Sequence, residues 1–147
     1  MNFQNPEKII LNELRKNARV SLNDVAQRAS IPTSTVYEKV KNYEDLSLIK
    51  KHTSILNFYT LGYLSRIMLV LKVDRNEREG IQDFLEKHPN VNTLYRINSG
   101  FDYLVEIISK NSRDSQDIVE EIESLKGIKE YSCFNIIDEV KKEAFLM

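Results

Sequence analysis

A chain of 147 residues with 41% hydrophobic content can bury one good core or divide into two small ones, since tightly packed domains of about 50–100 residues are viable. No run approaches the roughly 18–20 apolar residues of a membrane span, and the polar start MNFQNPEK does not suit a secretory signal, so a cytoplasmic protein with no membrane partner is expected. The net charge of −1 hides an asymmetry: residues 1–60 hold 9 Lys/Arg against 6 Asp/Glu, whereas residues 61–147 hold 12 against 16, so a basic first module and an acidic second have different partners.

From Pro6 the apolar residues Ile9, Ile10, Leu14 and Ala18 recur at helical spacing, and Asn5 before Pro6 supplies a cap, which predicts a helix over 6–16. Ser21, with Asp24 three residues on, caps a second helix over 22–29 whose apolar side is Leu22, Val25, Ala26 and Ala29. Ser30-Ile31-Pro32 interrupts the pattern, and a third helix over 33–44 follows, capped by Thr33 or Ser34. LIKKHTSIL (48–56) has apolar ends around a basic centre, which suits a small hairpin or wing, and 57–63 is a linker.

The remainder reads SRIMLVLKVD (65–74) as a strand and 77–87 as a helix with Ile81, Phe84 and Leu85 on one stripe. VNTLYRI (91–97) and FDYLVEII (101–108) form a hairpin through Asn98-Ser99-Gly100. A helix then starts at Asp114 or Ser115 and ends at Gly127, and IKEYSCFNII (128–137) is the last strand. The order βαββαβ is that of a ferredoxin-like sandwich with helices on one face. Ile67, Leu69 and Leu71 interleave with Met68 and Val70, so both faces of the first strand are apolar and the open face calls for a partner. The expected domains are 1–56 and 64–147, and the fold class is α+β.

On the third helix, Val36, Val40 and Tyr43 share one side and Ser34, Glu38 and Lys41 the other, flanked by Thr35, Tyr37 and Asn42. A merely solvated face would carry Glu, Lys and Ala. Small hydroxyls and an exposed tyrosine in the first turns instead suit a recognition helix in the major groove, where Ser and Thr meet base edges and Lys reaches phosphate or guanine. The helix-turn-helix spacing of small residue, turn and buried β-branched residue falls on Ala26, Ser30 and Val36. The turn position favours glycine, and Ser30 would cost on the order of 1 kcal/mol in a left-handed conformation.

NARVSLNDVAQRASIPTSTVYEKVKNYEDLSLIKKHTSIL followed by LGY resembles the winged helix-turn-helix of the Lrp/AsnC (feast/famine) transcription regulators. The βαββαβ half, with its hairpin NSGFDYLVEI and its terminal IIDEVK, resembles that family's effector-binding and oligomerisation domain, so the likeness spans nearly the whole chain. It implies a third helix that enters double-stranded DNA, for which Thr33, Ser34, Thr35, Tyr37, Glu38, Lys39 and Lys41 are the candidate contacts; Lys50, Lys51 and His52, which follow that helix directly, read either as a wing on phosphate, the reading kept, or as a soluble β-turn. It also implies a homodimer or higher even-numbered oligomer paired through the sheet, and an effector, usually an amino acid, bound between subunits near Ser99, Gly100, Phe101 and Asp102. Three departures stand out: Lys39 and Asn42 replace frequent arginines, Ser47 replaces a glycine before the wing, and Gly100 lies one position late for the family's Gly-x-aromatic-Asp pattern.

Asp102 has two readings, an acceptor for an effector's ammonium group or a strand-edge carboxylate capping its own turn. With one cysteine, Cys133, and two histidines, His52 and His88, the chain offers no internal disulfide and no cluster at metal-ligand spacing, so no cofactor is expected. There is no nucleophile elbow, phosphate loop or H-E-x-x-H helix, and the expectation is a non-enzyme. An acylphosphatase-like use of Arg96 and Asn98 would need an anion cradle after the first strand, where KVDRNEREG is acidic and poor in glycine. The expected function is a sequence-specific transcription regulator modulated by a small molecule. The alternative within DNA binding is an architectural protein with little sequence preference.

Overall fold

The computed structural model describes residues 3–147. Three helices, α1 (Asn5–Lys16), α2 (Leu22–Ala29) and α3 (Thr33–Asp45), precede β1 (Ser65–Val73), α4 (Arg78–Lys87), β2 (Val91–Arg96), β3 (Tyr103–Ser109), α5 (Ser112–Glu123) and β4 (Ile128–Asn135). The chain falls into two compact units, one running to Ile55 and taking in Val140–Met147, the other being Leu56–Glu139.

The core of the first unit is the meeting of three apolar stripes: Ile10 and Leu11 from α1, Val25, Ala26 and Ala29 from α2, Val36 and Tyr43 from α3. Ser21 caps α2 as expected, its Oγ accepting the Asp24 N–H at 3.1 Å. The other caps differ from the sequence reading. Gln4, not Asn5, is the N-cap of α1, because the Glu7 carboxylate reaches back to accept the Gln4 N–H at 2.9 Å. Pro32 precedes α3, leaving Thr33 and Ser34 inside the first turn with their hydroxyls free for other partners.

Ser30 is left-handed, with φ 55° and ψ 43°, and this lets the Ile31 N–H close back on the Ala26 carbonyl at 3.1 Å. The turn between α2 and α3 therefore has the geometry that a glycine would adopt without strain. Beyond α3, Ser47 is also left-handed (φ 56°), but no strand occurs between α3 and β1 among the described residues, so the hairpin expected at 48–56 is an irregular segment. Only Ile49 packs on the core, while Ile55 and Leu56 stay 58% and 52% exposed. A two-stranded ribbon with no apolar face to bury has little to hold it together.

Residues 140–147, grouped by the sequence reading with the second domain, lie against α1. Asn12 brackets Met147, donating to its carbonyl and accepting its N–H at 2.8 Å each, and Arg15 Nε donates to the Phe145 carbonyl at 2.7 Å.

In the second unit the sheet order is β2-β3-β1-β4, all antiparallel, which is the ferredoxin-like arrangement. Strand alternation sends Ile67, Leu69, Leu71, Tyr103, Val105 and Ile107 towards α4 and α5, where they meet Ile81, Leu85, Ile118, Val119 and Ile122. The opposite face carries Met68 and Val70, across from Glu106 and Leu104 on β3 and from Phe134 and Ser132 on β4. Both helices of this unit pack on the other face, and Phe134 and Tyr95 are 58% and 57% exposed. Asn111, rather than Asp114 or Ser115, caps α5 by accepting the Asp114 N–H at 2.9 Å. Gly127 ends the following turn at φ 101°, where a Cβ would lie 2.5 Å from that of Glu77.

Replacing Ser30 with glycine is expected to stabilise the first unit by about 1 kcal/mol, and replacing it with valine to destabilise it by at least as much. Urea unfolding of the two variants beside the parent measures both, and equal midpoints would remove the strain argument.

Candidate nucleic-acid interface and effector pocket

Burial of Val36 and Tyr43, seven residues apart and hence on one stripe, fixes the rotation of α3 about its axis. That rotation puts Thr33, Ser34, Tyr37, Glu38 and Lys41 outward as exposed residues, with Thr35 half-buried beside them. Tyr37 is 60% exposed, a large area for an aromatic ring. Lys50, Lys51 and His52 follow α3 in the irregular segment and are exposed, His52 pairing with Glu44 at 2.9 Å.

Lys39 stands apart from this set. Its ammonium donates to the Glu7 carboxylate at 2.8 Å, tying α3 to α1. The bond from Lys39, together with the Gln4 N–H, holds the Glu7 carboxyl below its usual range, and the Glu7 carboxylate in turn raises the Lys39 ammonium. A second ion pair, from Arg28 to the buried Glu13, ties α2 to α1, and Lys16 joins it at 2.9 Å.

At the hairpin, Ser99 (φ 66°) and Gly100 (φ 102°) form an exposed left-handed tip, and Phe101 and Asp102 are half-buried at its root. Asp102 does not cap its own turn. One carboxylate oxygen accepts the Val73 N–H at the end of β1 at 2.9 Å, and the other accepts from Arg78 Nη2 at 2.5 Å. The Val73 N–H first, and the charges of Arg78 and Arg96 beside it, hold this carboxyl below the usual range. Arg96 lies opposite Tyr103 in the β2–β3 register, and the buried Tyr103 hydroxyl donates to Gln82 on α4 at 3.0 Å.

Sequence reasoning missed Arg78 and Gln82. One signal was present, because an arginine in the first turn of a helix opposes the helix dipole and calls for a carboxylate nearby. No group of three or more metal-ligating side chains occurs among the described residues, and no helix among them is long and apolar enough to cross a membrane.

A three-helix unit with an outward-facing third helix, joined to an α+β sandwich, defines a two-part DNA-binding regulator. A family model for the Lrp/AsnC ligand binding domain matches residues 66–145, and one for a winged helix-turn-helix DNA-binding unit matches residues 7–50. The first spans more than half of the chain, and the protein belongs to the Lrp/AsnC family of transcription regulators. It is similar to the HTH-type transcriptional regulator FL11 of Pyrococcus furiosus, 26% identical over 123 residues, covering 84% of this chain and 82% of that one. The transcriptional regulator AzlB of Bacillus subtilis is 27% identical over 116 residues, 77% of this chain and 74% of that one. Among solved structures, LrpC of B. subtilis superposes with a TM-score of 0.85 at 20% identity over 96% of this chain and 99% of that one. A Neisseria meningitidis transcriptional regulator in complex with L-Met gives 0.87 at 17% identity over 96% and 94%. At such identities these two establish the fold.

Replacing Asp102 removes an acceptor that two donors use, so the variant does not keep the parent's stability, as a free carboxylate would allow. Asp102→Ala is expected to cost about 1–3 kcal/mol at pH 7. Because folding depresses this carboxyl, its contribution is present above the usual aspartate range near pH 4 and is lost as pH falls below it. Urea midpoints between pH 7 and pH 3 are expected to converge for parent and Asp102→Asn, and a constant gap across that range would contradict the assignment.

Proposed function

We propose that this regulator binds duplex DNA as a homodimer or a higher even-numbered oligomer, reading bases with the first turns of α3 and responding to a small effector held near the 98–102 hairpin. The observation that carries the reading is the exposed set Thr33, Ser34, Tyr37 and Lys41, which makes no side-chain hydrogen bond or ion pair among the described residues while the other side of the helix is anchored. Ser34, Thr33 and Thr35 supply short hydroxyls for base edges, Tyr37 adds an apolar and hydrogen-bonding surface, and Lys41, Lys50 and Lys51 supply phosphate contacts. Lys39 serves the reading indirectly, by holding α3 on α1. Glu38 suits a cytosine amino group or, failing that, discourages close approach of phosphate.

Association through the uncovered sheet face follows from its apolar residues Met68, Val70, Leu104 and Phe134, which a second copy of the same face would bury. An effector's ammonium has to displace or share Arg78 to reach Asp102. The L-Met held by the Neisseria regulator supports an amino acid as the class of effector.

Footprinting is expected to show protected half-sites spaced by whole helical turns. Ser34→Ala with Tyr37→Ala is expected to blunt discrimination between sites, whereas Lys50→Ala with Lys51→Ala weakens all duplexes alike and lowers the salt slope by roughly two. Specific over non-specific affinity of about 10³ or more fits a regulator, and a ratio near one fits the architectural alternative. For the assembly, Phe134→Glu in the full chain is expected to shift sedimentation towards monomer with the helical content retained. An unchanged oligomer would move the interface elsewhere.

A further inference from the structure

The chain passes between the two units twice, first between residues 55 and 56 and again between 139 and 140, because residues 140–147 fold with the helices of the first unit. The match to the ligand binding domain runs on to residue 145, so membership of the family does not account for this return.

The returning segment is held by its backbone. Asn12 Nδ2 donates to the Met147 carbonyl, and Asn12 Oδ1 accepts the Met147 N–H, at 2.8 Å each. Arg15 lies three positions on and therefore on the same face of α1. It donates through Nε to the Phe145 carbonyl at 2.7 Å, and through Nη2 to the Glu143 carbonyl at 3.3 Å and carboxylate at 3.1 Å. Apolar burial does not explain the docking, since Phe145 is 72% exposed. Glu143 is left-handed at φ 48°, a conformation that costs a residue with a Cβ and persists only where its neighbours hold it. Here Arg15 holds both its carbonyl and its carboxylate.

The chain is also held just before it leaves the second unit. The Ile136 N–H donates to the Arg66 carbonyl at 2.9 Å, and the Arg66 guanidinium pairs with Glu139. From Glu139 to Glu143 the chain advances four residues, an extended reach of about 14 Å. The first crossing has far more slack. Ile49 packs on the helical core and the Leu64 N–H donates to the Lys110 carbonyl at 3.1 Å, and the advance of fifteen residues from one to the other reaches about 50 Å.

A unit on one long tether samples many orientations, and fixing one of them on DNA costs the entropy of the rest. A short second tether removes that freedom beforehand. The contacts made by Asn12 and Arg15 are exposed and individually weak. They act together because the segment belongs to the same chain and meets α1 at the high effective concentration of a short linker.

We propose that residues 140–147 are a strap that limits the orientations open to the DNA-binding unit, with Asn12 and Arg15 as positioning residues, and that the strap makes the regulator selective for the spacing between half-sites. The inference rests on the reading of α3 as the DNA-contacting helix in a paired assembly.

The test varies the tether and the DNA separately. A half-site is selected by the parent from random duplexes, and two copies are placed at centre-to-centre spacings stepped through one helical turn of about 10 base pairs. The parent's affinity is expected to vary at least tenfold across the series. Inserting eight Gly/Ser residues after Glu139 leaves the docking contacts in place and adds roughly 28 Å of slack. The variation is then expected to shrink to threefold or less, while affinity for one half-site stays within twofold and the melting temperature holds. Asn12→Ala with Arg15→Ala is expected to flatten the series in the same way, and to lower the amide order parameters of residues 143–147 from about 0.85 to below about 0.6. An insertion variant that keeps the parent's spacing dependence overturns the strap, as does a double alanine variant whose terminal segment stays ordered. A parent that binds single half-sites but ignores their spacing overturns it too, and leaves the reading of α3 intact. A parent that binds no duplex removes that reading and the strap with it.

Discussion

The DNA-binding half depends on the burial of Val36 and Tyr43 against Ile10 and Val25. Two side chains seven residues apart on a helix fix its rotation, and neither can leave the core without opening a cavity that costs about 2–5 kcal/mol. Once they are in place, the outward side of α3 is determined, and Ser34, Glu38 and Lys41 have no alternative but solvent or a ligand. The left-handed Ser30 is subordinate to this requirement. The turn must bring α3 across α2 within a few residues, and the conformational cost at one serine is small beside the apolar area it allows the helices to bury.

The ion pairs of this unit share a consistent pattern. Glu7 takes Lys39 from α3 and Glu13 takes Arg28 from α2, so both helices of the helix-turn-helix are tied electrostatically to α1. This separates the basic residues into two groups. Lys16, Arg28 and Lys39 are compensated by Glu13 and Glu7, while Lys41, Lys50 and Lys51 make no ion pair with a carboxylate among the described residues. The net charge of the whole chain conceals this division, since about half of the first module's cations are already neutralised within it.

Most of the fold was legible because its elements announce themselves through period. The stripe Ile81, Phe84 and Leu85 and the alternation through 65–73 leave little freedom in choosing helix or strand, and the βαββαβ order then constrains the sheet. The caps were less legible: Gln4 and Asn5, or Asn111 and Asp114, are neighbouring polar residues, and which one caps depends on where the following acidic side chain reaches. The hairpin expected at 48–56 is not paired as strands, which the sequence does not reveal because apolar ends around a turn look alike whether or not a second face exists to bury them. The site was half legible. Residues on α3 follow from helical spacing alone, but the partners of Asp102 do not, since Arg78 is 24 positions away and meets it only when β1 and α4 are folded. The docking of residues 143–147 on Asn12 and Arg15 spans about 130 positions and runs largely through backbone groups, which leave no signature in side-chain pattern.

Among the apolar residues of the open sheet face sits a buried carboxylate. Glu106, only 4% exposed, sits amid Met68, Leu104 and Ile108, yet it is ionised more readily than an ordinary glutamate. Burial pushes its carboxyl up, and hydrogen bonds from Asn92 (2.6 Å) and Thr93 (2.8 Å), with the Arg66 guanidinium, more than offset this. Because the charge is satisfied within one protomer, covering the face with a second copy strands no unpaired ion. The same network makes the face particular about register. A partner that pressed apolar side chains against Arg66 and Glu106 would strip their remaining water without replacing it. For the association proposed above, the apolar residues then supply the affinity, and the buried carboxylate limits which alignments can use it.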